Sequence, residues 1–178
     1  MERRTFLKLV TVGANALIAA VVAVPALRFV LHPLRRGGRQ RDFIRIAPLT
    51  ALSADRPTRV VVIHDRRDAF TQYPPGPIGA VWLVRTPGDG SEPPVRCLQT
   101  MCPHLGCAIG YAAERDTFVC PCHASEFDRL GRRRFGPVAR DMDALPCRVT
   151  PPDEAGRRWI EVQYQEFHTG TPDQRPLT

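Results

Sequence analysis

Two short units, Cys102-Pro103-His104-Leu105-Gly106-Cys107 and Cys120-Pro121-Cys122-His123-Ala124-Ser125, constrain this chain more than any other feature. A Cys-x-His and a Cys-x-x-His with fifteen residues between them supply two thiolates and two imidazoles from two loops. That is a four-ligand metal set, and the fold has to bring both loops to it. Two readings fit the donors: a tetrahedral zinc site, and a 2Fe-2S cluster with cysteines on one iron and histidines on the other. Zinc leaves Cys107 and Cys122 unexplained, although each lies in the same loops as the donors.

The 178 residues suffice for one domain with its own core plus appendages. Eighteen Pro and 13 Gly against three Tyr and two Trp, with no helix-period run beyond the first thirty residues, indicate a loop-rich, mainly β body. Apolar or alternating runs at 43–48, 58–65, 80–86, 95–100, 117–120, 147–150 and 159–164 are separated by breakers such as YPPGPIG and TPGDGSEPP. This is the pattern of a small antiparallel β fold. Residues 43–164 are expected to form the domain, with the metal-binding loops at about 97–140, and 165–178 an extended tail. Cys97 and Cys147 sit in strand-like runs and read as small buried hydrophobes. His32, His64 and His168 have no partner motif and read as ordinary surface or tail residues.

The N-terminus is of another kind. A basic stretch, residues 1–8, precedes a run from Leu9 to Leu27 without a charge. Nineteen residues at about 1.5 Å each span roughly 28 Å, close to the hydrocarbon thickness of a bilayer. No polar face interrupts it, so it reads as one transmembrane anchor over 9–31 rather than a core helix. Residues 32–42, basic and containing Gly37-Gly38, read as a flexible linker. Arg3-Arg4-Thr5-Phe6-Leu7-Lys8 is similar to a twin-arginine export signal. Val24-Pro25-Ala26 offers a cleavage site, but the length of the run favours a retained anchor. Arg28, Arg35, Arg36, Arg39 and Arg41 follow the span and outnumber the cations before it, so the positive-inside rule points the other way from the export signal. The net charge of +7 raises nucleic acid as a partner, yet no basic, aromatic-interleaved strand accompanies it. Nucleic acid is not expected to bind.

The two Cys/His units resemble those of the Rieske iron-sulfur proteins, whose loops read Cys-x-His-Leu-Gly-Cys and Cys-x-Cys-His-x-Ser. The resemblance implies a small antiparallel β-sandwich with a cluster-binding subdomain, preceded here by one transmembrane helix. It also implies that Cys102, Cys120, His104 and His123 bind the two irons of one 2Fe-2S cluster, and that Cys107 pairs with Cys122 in a disulfide. Ser125 matches the family's serine that bonds a bridging sulfide, and Leu105 the apolar tip of the first loop. Gly136-Pro137 matches the start of a Gly-Pro-Ala-Pro loop over the cluster, but Val138-Ala139 departs from its second half. Arg132, Arg133 and Arg134 beside it read as solvated turn residues.

A disulfide needs an oxidising compartment. With the export signal, it places the domain on the periplasmic or extracytoplasmic side of the cytoplasmic membrane. The branch this resembles is the Rieske subunit of quinol-oxidising cytochrome bc complexes, with cytochrome b and a cytochrome c-type subunit as partners. His104 and His123 would then contact the quinol and take its proton, with Gly37-Gly38 as a pivot for the domain's swing to the haem. Phe127 stands where high-potential members carry a tyrosine that bonds a cysteine ligand, which implies a lower potential and menaquinol as the donor. The small Rieske subunit of an exported molybdenum oxidase such as arsenite oxidase is the alternative; a colourless zinc-bound structural domain is a remote one.

Overall fold

The computed structural model describes residues 2–35, 42–65, 67–68, 71–86 and 95–177. The chain divides into two units, residues 1–40 and 41–178. The first contains one helix, α1 (Arg3–Arg35). Its Arg3–Leu31 stretch is long and apolar enough to cross a membrane, with Leu9, Val12, Leu17, Ile18, Val21 and Val22 all exposed. The expected basic segment 1–8 and the expected anchor are therefore continuous from Arg3, and residues 32–35 of the expected linker are helical as well. Helical hydrogen bonding is indifferent to the change from basic to apolar side chains that marked those boundaries. The Gly37-Gly38 pivot lies outside the described residues.

The second unit is built from antiparallel strands. They run β1 (Ile44–Pro48), β2 (Thr58–His64), β3 (Arg67–Asp68), β4 (Thr71–Gln72), β5 (Gly76–Arg85), β6 (Val95–Gln99) and β7 (Gly110–Ala112). Then follow β8 (Thr117–Cys120), β9 (Ser125–Phe127), β10 (Arg133–Phe135), β11 (Ala144–Leu145), β12 (Cys147–Val149) and β13 (Trp159–Val162). They pair in the orders β1-β13-β12, β11-β6-β5-β2 and β10-β9-β8-β7, with β3-β4 a separate ribbon.

The central sheet, β11-β6-β5-β2, explains the architecture. Successive strand residues face opposite sides, and in β5 both sides are covered. Val81 and Leu83 join Val62, Cys97, Ile160 and Val162 in one core, which makes a sandwich with the β1-β13-β12 sheet. Trp82 and Val84 face the other way, into a second core with Leu98, Ile109, Phe118, Phe127, Val138 and Met142. That second core carries the β10-β9-β8-β7 sheet. A strand buried on both faces reads as an unbroken apolar run, as AVWLV does.

β5 begins four residues before the expected run because Gly76-Pro77 is strand rather than breaker. Pro77 pairs with Ile63 where the register shifts, a place at which a strand tolerates a missing N–H. The expected extended tail is also different: Phe167 is buried, and an isolated bridge joins it to Pro176. Residues 167–176 thus fold back on themselves.

Candidate metal centre

Each Cys/His unit is the loop of a hairpin in the second core. The first connects β6 to β7. Its root is closed by a bridge between Met101 and Ala108, and by Ile109 N–H donating to Thr100 O at 2.8 Å. Inside it, Cys102 N–H donates to Cys107 O at 2.8 Å and Gly106 N–H to Cys102 O at 2.9 Å. The Trp82 indole Nε1 donates to Ile109 O at 3.1 Å, pinning this hairpin to the central sheet. The second loop joins β8 to β9, with Cys120 paired to Ser125 and Ala124 at φ +53°. A disulfide links Cys107 to Cys122 across the two loops, with their Cα atoms 6.5 Å apart.

The loops place four donors together in two layers. Cys102 and Cys120 are each 1% exposed. His104 is half-buried and His123 exposed, with ring centroids 4.7 Å apart and nearly perpendicular planes. The sulfurs of Cys107, Cys120 and Cys122 lie within 4.8 Å of one another. Two of these are tied up in the disulfide, so Cys120 is the one able to act as a ligand, with the clamp directly beside it.

Several features fit a bound 2Fe-2S cluster. The Cys102 thiol is pushed up to about 11, chiefly by burial and also by the neighbouring Cys120 sulfur, against the backbone N–H groups of His104 and Leu105, which are directed at its sulfur and pull the other way. Two thiols buried side by side, with amides already aimed at one of them, suit a metal that takes up the thiolates. The His104 Nδ1 and Ser125 Oγ atoms are buried without a hydrogen-bond partner among the described residues. Buried polar groups are normally satisfied, and a ligating nitrogen and a donor to a cluster sulfur are what this place would use.

Gly136 closes the site from a third side. A β-carbon there would lie 2.5 Å from Ser125 Cα and 2.7 Å from Ser125 Oγ, and its φ is +102°. Only glycine fits so close to the serine backbone. After Pro137 the chain does not continue as proline but buries Val138 in the second core, 1% exposed. Arg133, expected in a solvated turn, lies in β10, and its Nη2 donates to Gly136 O at 3.1 Å. Leu105 stands out at 61% exposed, next to the half-exposed imidazoles. Phe127 is fully buried in the second core.

Two groups near the site carry no signal in the sequence pattern. Arg140 and Asp143 form a buried pair, with Nε to Oδ1 at 2.8 Å and Nη2 to Oδ2 at 2.8 Å. The refolded segment after Phe167 meets the first loop through Gly170 N–H, which donates to Pro103 O at 2.8 Å. The further partners of Arg140 lie 28 and 31 residues downstream, at His168 and Thr171, a separation from which spacing gives no contact.

Cytochrome b6-f complex iron-sulfur subunit 2 of Synechocystis sp. (strain ATCC 27184 / PCC 6803 / Kazusa) is 26% identical over 167 residues, which is 93% of this chain and 89% of that protein. The menaquinol:cytochrome c reductase iron-sulfur subunit of Bacillus subtilis (strain 168) is 25% identical over 134 residues, 74% of this chain and 75% of that protein. Among solved structures, the cyanobacterial plasma membrane Rieske protein PetC3 from Synechocystis PCC 6803 superposes with a TM-score of 0.43 at 21% identity, covering 66% of this chain and 97% of that one. The Rieske [2Fe-2S] domain model matches residues 44–147, more than half of the sequence and both Cys/His loops, and on that match the chain belongs to the Rieske family, whose domain binds a 2Fe-2S cluster.

Proposed function

We propose that this chain is the membrane-anchored Rieske subunit of a bacterial quinol:cytochrome c reductase, accepting an electron and a proton from quinol, with menaquinol as the expected donor. The electron passes on to a cytochrome c-type haem. The observation that carries this reading is the arrangement of the donors, with two buried thiols beneath two imidazoles that reach the surface on disulfide-clamped loops. The Bacillus and Synechocystis relatives, whose names place them in a menaquinol:cytochrome c reductase and a cytochrome b6-f complex, support it.

In this reading Cys102 and Cys120 would hold the inner iron, and His104 and His123 the outer one. Bound there, a 2Fe-2S cluster supplies one-electron acceptance at a potential raised by two neutral imidazoles in place of thiolates. The imidazole Nε2 of His104, opposite its buried Nδ1, accepts a hydrogen bond from a quinol hydroxyl and takes the proton; His123 offers the same chemistry beside it. Exposed Leu105 contacts the apolar wall of the quinone pocket. Ser125 would donate to a cluster sulfur, and the backbone N–H groups of His104 and Leu105 are directed at the Cys102 sulfur; such donors favour the more negative, reduced state. Phe127 contributes no hydroxyl, which lowers the potential toward the range a menaquinol enzyme uses.

We place α1 in the cytoplasmic membrane and the Rieske domain, residues 43–164, outside it, because the disulfide requires an oxidising compartment. The test is to purify the tagged full chain from its native membrane in mild detergent, then to identify co-purifying subunits and assay quinol oxidation. Cytochrome b, menaquinol-dependent haem reduction and a 2Fe-2S paramagnetic signal are expected. A molybdopterin subunit in place of cytochrome b would overturn the assignment.

A further inference from the structure

The segment after Gln165 has the composition of a loose end, EFHTGTPDQRPLT, and its residues 166–177 are held like a structural element. His168 N–H donates to Arg175 O at 2.9 Å and Leu177 N–H to Glu166 O at 2.8 Å, so its two ends are paired. Its turn lies on the first cluster loop. Besides the bond from Gly170 to Pro103 O, a β-carbon on Gly170 would sit 3.7 Å from His104 O, and Thr169 Cγ2 is 3.8 Å from where Gly106 would carry one.

Arg140 fastens this turn. Its side chain is 9% exposed and that of Asp143 5%. Beyond its two bonds to Asp143, Nη1 donates to Thr171 O at 2.5 Å and to Thr171 Oγ1 at 3.1 Å, and Nη2 to His168 O at 2.8 Å. Burying an ion pair is costly unless its remaining donors are satisfied, and here the guanidinium spends them on the backbone of the turn. A second tie runs in parallel: Gln99, 2% exposed at the root of the first loop, donates from Nε2 to Gln165 O at 3.0 Å.

We propose that residues 166–177 are a strap that holds the first cluster loop, and that Arg140 is a positioning residue acting through this strap on the loop backbone at Pro103, His104 and Gly106. The strap thereby sets the His104 imidazole and the amides aimed at Cys102. The inference rests on the reading that these residues hold the cluster. Hydrogen bonds to a ligand sulfur stabilise the reduced state, so loosening the loop lowers the potential.

The test uses the full chain in detergent as wild type, Arg140→Ala, Arg140→Lys, and a truncation after Phe167. The truncation leaves Phe167 in the core and does not strand Asp143 without its partner. Hydrogen exchange over residues 101–108 and the midpoint potential, followed by the paramagnetic signal of the reduced cluster, are the readouts. Exchange in 101–108 is expected to quicken about tenfold in the truncated chain and in Arg140→Ala, the effect of losing one net hydrogen bond, while residues 117–120 keep their rate. The potential is expected to fall by up to a tenfold change in electron affinity, about 59 mV for one electron, with Arg140→Lys recovering part of it. Wild-type exchange and potential in the truncated chain would overturn the strap, as would faster exchange spread evenly to residues 117–120 with no change in potential. A wild-type chain without a 2Fe-2S signal overturns the cluster reading instead, and the exchange rates still decide the strap.

Discussion

Gly136 packs against Ser125 so closely that a β-carbon on the glycine would stand 2.5 Å from the serine Cα. The contact joins the chain segment after β10 to the second cluster loop, where the Ser125 hydroxyl is buried with no partner among the described residues. Gly136→Ala meets this overlap and a backbone at φ +102° that an L side chain rarely adopts. We expect the variant to be destabilised by about 2–4 kcal/mol, combining backbone strain and overpacking. Chemical denaturation of the holoprotein measures this; a loss under 1 kcal/mol would mean the segment can lift away freely.

The Ser125 hydroxyl and the Phe127 ring make a matched pair of tests. Ser125→Ala removes a donor from a buried position without adding bulk, and the potential is expected to fall by on the order of 60 mV, one tenfold step in electron affinity. Phe127→Tyr adds a hydroxyl inside the second core, where Cys102 and Cys120 also lie, and is expected to raise the potential. Redox titration of both variants decides. An unchanged potential in Phe127→Tyr alongside a folded, loaded protein would remove the physical basis for expecting menaquinol.

The disulfide closes 15 residues of chain, for which loop-closure entropy gives about 3 kcal/mol. Replacing both partners, Cys107→Ser with Cys122→Ser, is expected to lower stability by about that amount and to shorten the lifetime of the bound cluster, read from the decay of its visible absorption. The double variant is preferred to either single one, which would leave a free thiol beside Cys120. A cluster lifetime equal to the wild type would show that the loops need no clamp.

Much of this was legible before any coordinates. The two Cys/His loops named their own chemistry, and the apolar runs of β2, β5, β6 and β13 declared strands because burial on one or both faces leaves a pattern of apolar residues. The short strands β7, β9, β10 and β11 escaped, since two or three residues seldom show a period, although three-residue β12 lay within the run at 147–150. Pro77 hid the start of β5, because the irregular register that accommodates it depends on Ile63 across the sheet. The strap was illegible for a related reason. Arg140 meets His168 and Thr171 through their backbone oxygens, chiefly, and a backbone acceptor has no letter in the sequence.

Cys97 and Cys147 lie outside the cluster chemistry, and their environment predicts how they react. Burial first, then the nearby Cys147, raises the Cys97 thiol well above its ordinary range; burial likewise raises Cys147, against a backbone N–H of Cys97 that lowers it. The Cys147 thiol also donates to Val95 O at 3.2 Å. Neither is a thiolate at neutral pH, so iodoacetamide is expected to label neither in the native protein and both after denaturation, as mass spectrometry of the digested chain would show. Raised folded-state values mean that the stability these thiols contribute is complete below the unfolded thiol range and is lost as pH climbs through it toward the folded values. Alkaline denaturation scans of Cys97→Ala and Cys147→Ala should therefore show a weaker decline above about pH 9 than the wild type. Rapid native labelling of Cys97 at neutral pH would mean that the first core opens at β6 far more often than its burial allows.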